Sequence, residues 1–240
     1  GVNDKRINRL EQIQQRLETK PKRTVRKEMP LRDPASESVY DFLMSLKRAL
    51  YINRYVWARA RIAITLLRFL GLRASDAASL TLKDIESGLR HGSFQVSQSK
   101  TGKYRVVVLT KSAKEMLEKL DLDIQTVFRQ QYNKPLASAE NSTKQISKDQ
   151  WIRSINRFMQ PAISKFNLIL TSHSFRINSI PRLLRVVPLQ NVKTIVGHKD
   201  IRTTERYDRF VVDPKAISQI VETALNTNNK DNQKSVKPTE

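Results

Sequence analysis

At 240 residues, with 39% hydrophobic and 28% charged side chains, the chain has a globular composition and room for one sizeable core, which excludes a disordered or fibrous protein. Its 44 Lys and Arg against 23 Asp and Glu give a formal charge of +21, pointing to a polyanionic partner, nucleic acid first. The absence of cysteine excludes disulfides, thiolate zinc sites and cysteine nucleophiles, three His make a metal site improbable, and no apolar run approaches the roughly 20 residues of a membrane span.

Residues 1–33 read as a basic lead-in, because Lys20-Pro21-Lys22-Arg23 interrupts any helix begun at Asn8. Gly1 to Arg16 has no signal-peptide pattern, but the sequence does not begin with Met, so targeting stays open; composition goes as far as an intracellular, DNA-associated protein. Asp33-Pro34 sets up a helix with Val39, Phe42, Leu43, Leu46 and Leu50 on one buried face. A second helix starts at Asn53, turns Val56, Ala60, Ala63, Ile64 and Leu67 inward, and ends at Gly71. Together they deliver Leu72-Arg73. Past Leu82 the period changes to two: Phe94-Gln95-Val96-Ser97 alternates and Tyr104 to Leu109 is β-branched and apolar. Lys100-Thr101-Gly102-Lys103 between them reads as a hairpin turn, with Gly102 free to take a positive φ.

Helical patterns resume from Ser112 and near Ile124 to Gln131, followed by a polar loop from Asn133 to Lys144 with no core signal. Ser147 caps a helix carrying Trp151, Ile155, Phe158, Met159, Ile163 and Phe166, bent at Pro161. Ser172 is the N-cap of a helix through Arg185, Pro188 opens the next and Gly197 closes it. A last helix covers roughly Pro214 to Leu225, and residues 226–240 read as a disordered tail. The expected class is α+β, mainly helical, with a small antiparallel sheet and one main domain over residues 34–225.

Four short segments carry chemistry: Gly71-Leu72-Arg73-Ala74-Ser75-Asp76, Ser99-Lys100-Thr101-Gly102-Lys103, His173-Ser174-Phe175-Arg176, and Val196-Gly197-His198 followed by Tyr207. Each alone is weak; their order and spacing make the case. His198 precedes Tyr207 by nine positions, and two of the three His fall inside these segments. In this order the chain resembles the tyrosine recombinase and integrase family, the phage integrase type, whose pattern is Arg, Lys, HxxR, His and Tyr. The resemblance runs over roughly Asp33 to Leu225 and is most specific from His173 to Tyr207.

The resemblance implies a DNA breaking-rejoining catalytic core: a site-specific recombinase that cuts and rejoins double-stranded DNA through a 3′-phosphotyrosine intermediate, with no metal and no cofactor. In-line attack on a phosphodiester builds charge on the non-bridging oxygens, and a metal-free site needs fixed cations around them. Arg73 and Arg176 suit that need, because a guanidinium keeps its charge and donates two parallel hydrogen bonds. By resemblance Tyr207 is the nucleophile, His173 the general base and His198 a hydrogen-bond donor to the scissile phosphate. Lys100 is the general acid that protonates the departing 5′-oxygen, and Lys103 is its rival for that task. Asp76 matches a family position that buttresses the first arginine, and a carboxylate favoured by the helix dipole is its other reading.

The same resemblance implies four protomers on two duplexes, each docking its C-terminal helix into a neighbour through Ile217, Ile220, Val221 and Ala224, with packing inside the same protomer as the alternative. The compartment is open between a bacterial cytoplasm and an organelle such as a plastid. Two departures stand out. Family members usually carry an N-terminal helical domain, whereas about thirty residues precede the first core helix here, so either the chain is a fragment or that domain is reduced to the 1–33 lead-in; and Ile177-Asn178-Ser179-Ile180-Pro181 places a proline where it can bend the HxxR helix. The rival readings are a type IB topoisomerase, which relaxes DNA as a monomer, and an inactive DNA-binding relic. The interval from Gly197-His198 to Tyr207 favours the recombinase, and a metal-dependent nuclease lacks the dense Asp, Glu and His cluster it would require.

Overall fold

The structure, a computed structural model, describes residues 31–98, 102, 104–185, 188–197, 202 and 204. Helix α1 (Glu37–Ser45) begins where the Ser36 hydroxyl accepts the Val39 N–H, and it buries Val39, Tyr40 and Leu43. It stops short of its expected end. Arg61 takes up the Met44 carbonyl at 2.8 Å, Leu46 turns to an extended ψ of 137°, and Leu50 is 95% exposed in the turn that follows.

Helix α2 (Arg54–Leu70) is capped by Asn53, whose side chain accepts the Val56 N–H at 3.1 Å, and ended by Gly71 at a φ of 58°. Ala58, Ala60, Ile62, Ala63, Ile64, Leu66 and Leu67 are all buried, so the helix is apolar on several faces and lies at the centre of the main core. Val56 is an exception to the expected inward face: it is exposed, and Tyr55 is buried instead with its hydroxyl 3.0 Å from the Ser138 hydroxyl. A short helix α3 (Ala74–Ala77) follows, then α4 (Leu82–His91), which opens on a Thr81/Asp84 capping box.

Strands β1 (Ser93–Ser97) and β2 (Tyr104–Val108) form the expected antiparallel hairpin, with Phe94 opposite Val107 and Val96 opposite Arg105. Phe94, Val96 and Val107 are buried, whereas Tyr104, Val106 and Val108 on the opposite face of β2 are exposed. Helices α5 (Lys111–Glu118), α6 (Asp121–Phe128) and α7 (Lys148–Phe158) pack around α2. The bend expected at Pro161 is a break: α7 ends at Phe158, and α8 (Gln160–Phe166) starts with the proline in its first turn, where its missing N–H costs nothing.

The segment 133–144 differs from expectation. Leu136, Ala137 and Ser138 are buried, and their backbone is stitched to the chain after α3 through Leu136 N–H to Leu80 O (2.7 Å) and Ala137 N–H to Ala78 O (3.0 Å). Two buried cations hold it from beneath: Arg59 donates to the Ser138 carbonyl and Lys134 to the Glu140 carbonyl, both beside the Tyr55 ring. Desolvation lowers the pKa of each. A sequence window sees only the polar side chains of such a loop and not the backbone pairing that buries it.

Helix α9 (Ser174–Leu184) carries Pro181 in its interior, and α10 (Leu189–Val196) opens after Pro188 and closes on Gly197 at a φ of 68°. The N-cap position of α9 is His173 rather than Ser172, and the Ser174 hydroxyl instead turns back to accept the Thr171 N–H. These two helices share a separate small apolar cluster of Ile177, Ile180, Val192 and Val196. No helix among the described residues is long and apolar enough to cross a membrane. The helix expected at Pro214 to Leu225, the lead-in up to residue 30 and the tail from 226 lie outside the described residues.

Gly88 on α4 faces the hairpin so closely that a Cβ there would sit 2.9 Å from Phe94 and 3.0 Å from Leu109. Gly88→Ala is therefore expected to destabilise the protein by about 1–3 kcal/mol through overpacking. Urea unfolding should show a lower midpoint at unchanged slope, and an unchanged midpoint would mean that α4 is not seated this tightly on the sheet.

Candidate active site

The turn that ends α2 does the first positioning. Gly71 reverses the helix, Leu72 is fully buried as an anchor, and Arg73 follows with extended backbone (φ −74°, ψ 148°) at the N-cap position of α3. The buried Trp151 indole fixes α3 from α7 by donating to the Ala74 carbonyl at 2.7 Å. Asp76 is fully buried, and its carboxylate lies 3.5 Å from the Arg73 guanidinium.

His173 and Arg176 arrive from the other end of the chain. Asp33 grips the approach: its N–H donates to the Ile169 carbonyl (2.9 Å) and its carboxylate accepts the Ile169 N–H (2.7 Å). Asn156 on α7 accepts the Ser172 N–H at 2.8 Å, and Ala35 N–H donates to the Ser174 carbonyl. The start of α9 is thus clamped from two sides. Arg73, Ser75, His173 and Arg176 then line one cavity of about 320 Å³, together with Arg32 and Asn156. A larger hollow between α4, α5 and α6 contains none of these residues.

The arginines share a second feature. The last carbonyls of a helix have no intrahelical partner and carry the negative end of its dipole. At the end of α10 three successive carbonyls each receive a guanidinium: Arg105 donates to Ile195, Arg176 to Val196 at 3.2 Å, and both terminal nitrogens of Arg73 to Gly197 at 3.3 Å. Arg176, only 1% exposed, also donates to the Gly71 carbonyl and so ties the α2 turn to the α10 turn. Arg105 was not singled out by motif, although the period of two gave a signal: it shares the inward face of β2 with Val107. Burial lowers its pKa, with Asp76 opposing that shift and Arg73 adding to it. Its Nε and Nη2 are buried without a hydrogen-bond partner among the described residues, at a cost of about 1–3 kcal/mol for such a group.

Of the residues expected at the site, the structure brings Arg73, Asp76, His173 and Arg176 together. Lys100, Lys103, His198 and Tyr207 lie outside the described residues. Three guanidiniums, those of Arg32, Arg73 and Arg176, and the His173 imidazole around one cavity can receive a tetrahedral anion and surround it with donors.

The architecture is that of tyrosine recombinase catalytic domains. It is similar to the crystal structure of the XerA recombinase (TM-score 0.55, 20% identity, covering 82% of this chain and 65% of that one). It is equally similar to XerH bound to palindromic difH substrate in a post-cleavage complex (TM-score 0.55, 19% identity, 78% and 50% covered). Residues 19–211 match the phage integrase family, and the chain belongs to that family. In sequence it is 29% identical over 162 residues to the tyrosine recombinase XerA of Saccharolobus solfataricus, covering 68% of this chain. The chain spans about half the length of the curated relatives it matches, 50% of that protein in this case.

The two arginines should respond differently to lysine. A Lys at 176 cannot serve both Gly71 and Val196, so Arg176→Lys is expected to lose about 1–3 kcal/mol of stability. Arg73 is 18% exposed and held by longer bonds, so Arg73→Lys should leave the unfolding midpoint nearly unchanged. Thermal unfolding of the two variants checks this; equal midpoints would contradict it.

Proposed function

We propose that this chain is the catalytic domain of a site-specific DNA recombinase that cuts and rejoins double-stranded DNA through a 3′-phosphotyrosine intermediate. The observation that carries the reading is the meeting of Arg73, His173 and Arg176 around one cavity in a chain of the phage integrase family. The charge of +21 supports a DNA partner.

In this reading the Tyr207 oxygen attacks the scissile phosphorus while His173 takes the phenolic proton. Arg73 and Arg176 neutralise the charge that grows on the non-bridging oxygens, and His198 donates a further hydrogen bond. The bond from phosphorus to the 5′-oxygen breaks as Lys100, or Lys103 in its place, gives that oxygen a proton. The phosphotyrosine link is itself an ester, so a 5′-hydroxyl attacks it in reverse and no external energy source is needed. Asp76 acts through Arg73 and not on the phosphate. The catalytic domain covers residues 34–225, with 1–33 as a basic lead-in and 226–240 as a tail. Recombination requires two duplexes, and four protomers linked through the helix at 214–225 would provide the paired sites.

Full-length protein and its Tyr207→Phe variant, incubated in EDTA with nicked duplexes from the chain's own genetic neighbourhood, test the reading. A covalent 3′-adduct on a denaturing gel is expected from the first and its complete loss from the second. Tight binding without an adduct on any substrate would favour the inactive relic. Relaxation of supercoiled DNA without joining of two sites would favour the type IB topoisomerase.

A further inference from the structure

Arg105 has no part in the chemistry above, yet it occupies one of the inward positions of β2, opposite Val96 and on the same face as the buried Val107. An apolar side chain would suit that face. The guanidinium instead reaches the last turn of α10 and donates through Nη1 to the Ile195 carbonyl, leaving Nε and Nη2 buried and unpartnered among the described residues. The hairpin and α10 meet closely there. A Cβ on Gly197, which also has a φ of 68°, would lie 3.0 Å from Arg105 Cδ and 2.2 Å from the Gln98 amide nitrogen, so any other residue would strain the turn and displace these side chains. The apolar cluster that α10 shares with α9 is small, which leaves the arginine contacts a large share of the task of holding its end.

We propose that Arg105 is a positioning residue for strand cleavage: by holding the Ile195 carbonyl it fixes the end of α10 against the hairpin, and so places the Gly197 carbonyl that orients Arg73. The inference rests on the DNA-cleavage reading above. Arg105 acts through Arg73: its Nε and Nη2 are sealed from solvent and its Nη1 is engaged by the Ile195 carbonyl. Its loss therefore slows the chemical step without weakening the grip on the duplex.

The test uses full-length protein on a nicked duplex under single-turnover conditions, with the cleavage rate, the Kd for DNA and the unfolding midpoint measured together. Arg105→Met is expected to slow cleavage about ten- to a hundredfold, the effect of a misplaced catalytic group, while Kd stays within about twofold. Arg105→Lys, which still has a donor for Ile195, recovers part of the rate. In an Arg73→Lys background the Met substitution adds little further loss, because both act on the same guanidinium. Should Arg105→Met fail to fold, the cycle of Arg105→Lys with Arg73→Lys carries the same comparison.

Losses that multiply, a Kd that weakens in step with the rate, or no recovery with Lys would each overturn the proposal. So would Arg105→Met cleaving at the rate of the unmodified protein, and that result would leave the cleavage reading standing. If the unmodified protein formed no adduct at all, the cleavage reading would fall and take this inference with it.

Discussion

The site depends on one electrostatic arrangement, the free carbonyl end of α10 facing three arginines. Ile195, Val196 and Gly197 present oxygens that no helical N–H can reach, and Arg105, Arg176 and Arg73 supply the donors from β2, α9 and the start of α3. Like charges packed this closely repel. The negative end of the helix dipole and the fully buried carboxylate of Asp76 offset that repulsion. Three stretches far apart in sequence, α3, β2 and the α9–α10 pair, are thereby held in one register, although the apolar cluster between α9 and α10 is small.

The main core sets the platform beneath it. Helix α2 is surrounded by α5, α6 and α7, so its C-terminal turn, where Gly71 delivers Arg73, projects from a rigid body. Trp151 fixes α3 from one side, and the loop at 133–138 fixes the chain that leaves α3 from another. Buried Arg59 and Lys134 keep that loop down by donating to its carbonyls, an arrangement in which desolvated cations are held by backbone oxygens rather than by carboxylates. Precision at Arg73 thus comes from contacts made by residues that have no chemistry of their own.

Arg73 and Arg176, two of the three arginines that line the cavity, are held differently. Arg176 is nearly inaccessible and bridges the ends of α2 and α10, so it belongs to the framework as much as to the site. Arg73 is partly open and rests on a single neutral carbonyl through two bonds of 3.3 Å, with its buttress at 3.5 Å. A guanidinium held in this way keeps its orientation and can still turn its remaining donors to an anion.

Local pattern was enough for much of this protein. The caps at Asn53, Ser147 and Gly197, the hairpin alternation and the helical class follow from short-range rules, because capping, turn and period-two signals involve neighbours within about four residues. The order of Arg73, His173 and Arg176 was legible as a motif for the same reason. Other features were not. Leu50 continues an apolar period and is exposed, residues 136–138 sit in a polar stretch and are buried, and Arg105 reads as one basic residue among 44. The last two were decided by a partner more than 50 residues away, Leu80 for Leu136 and Ile195 for Arg105, and the first by Arg61 taking the Met44 carbonyl 17 residues off. Sequence alone determined which side chains were candidates, and for Arg73, His173 and Arg176 at which helix each would stand. Only the tertiary structure decided which would meet, because the carbonyls that gather the arginines belong to the backbone at one helix end, and no residue type announces where the chain will bring it.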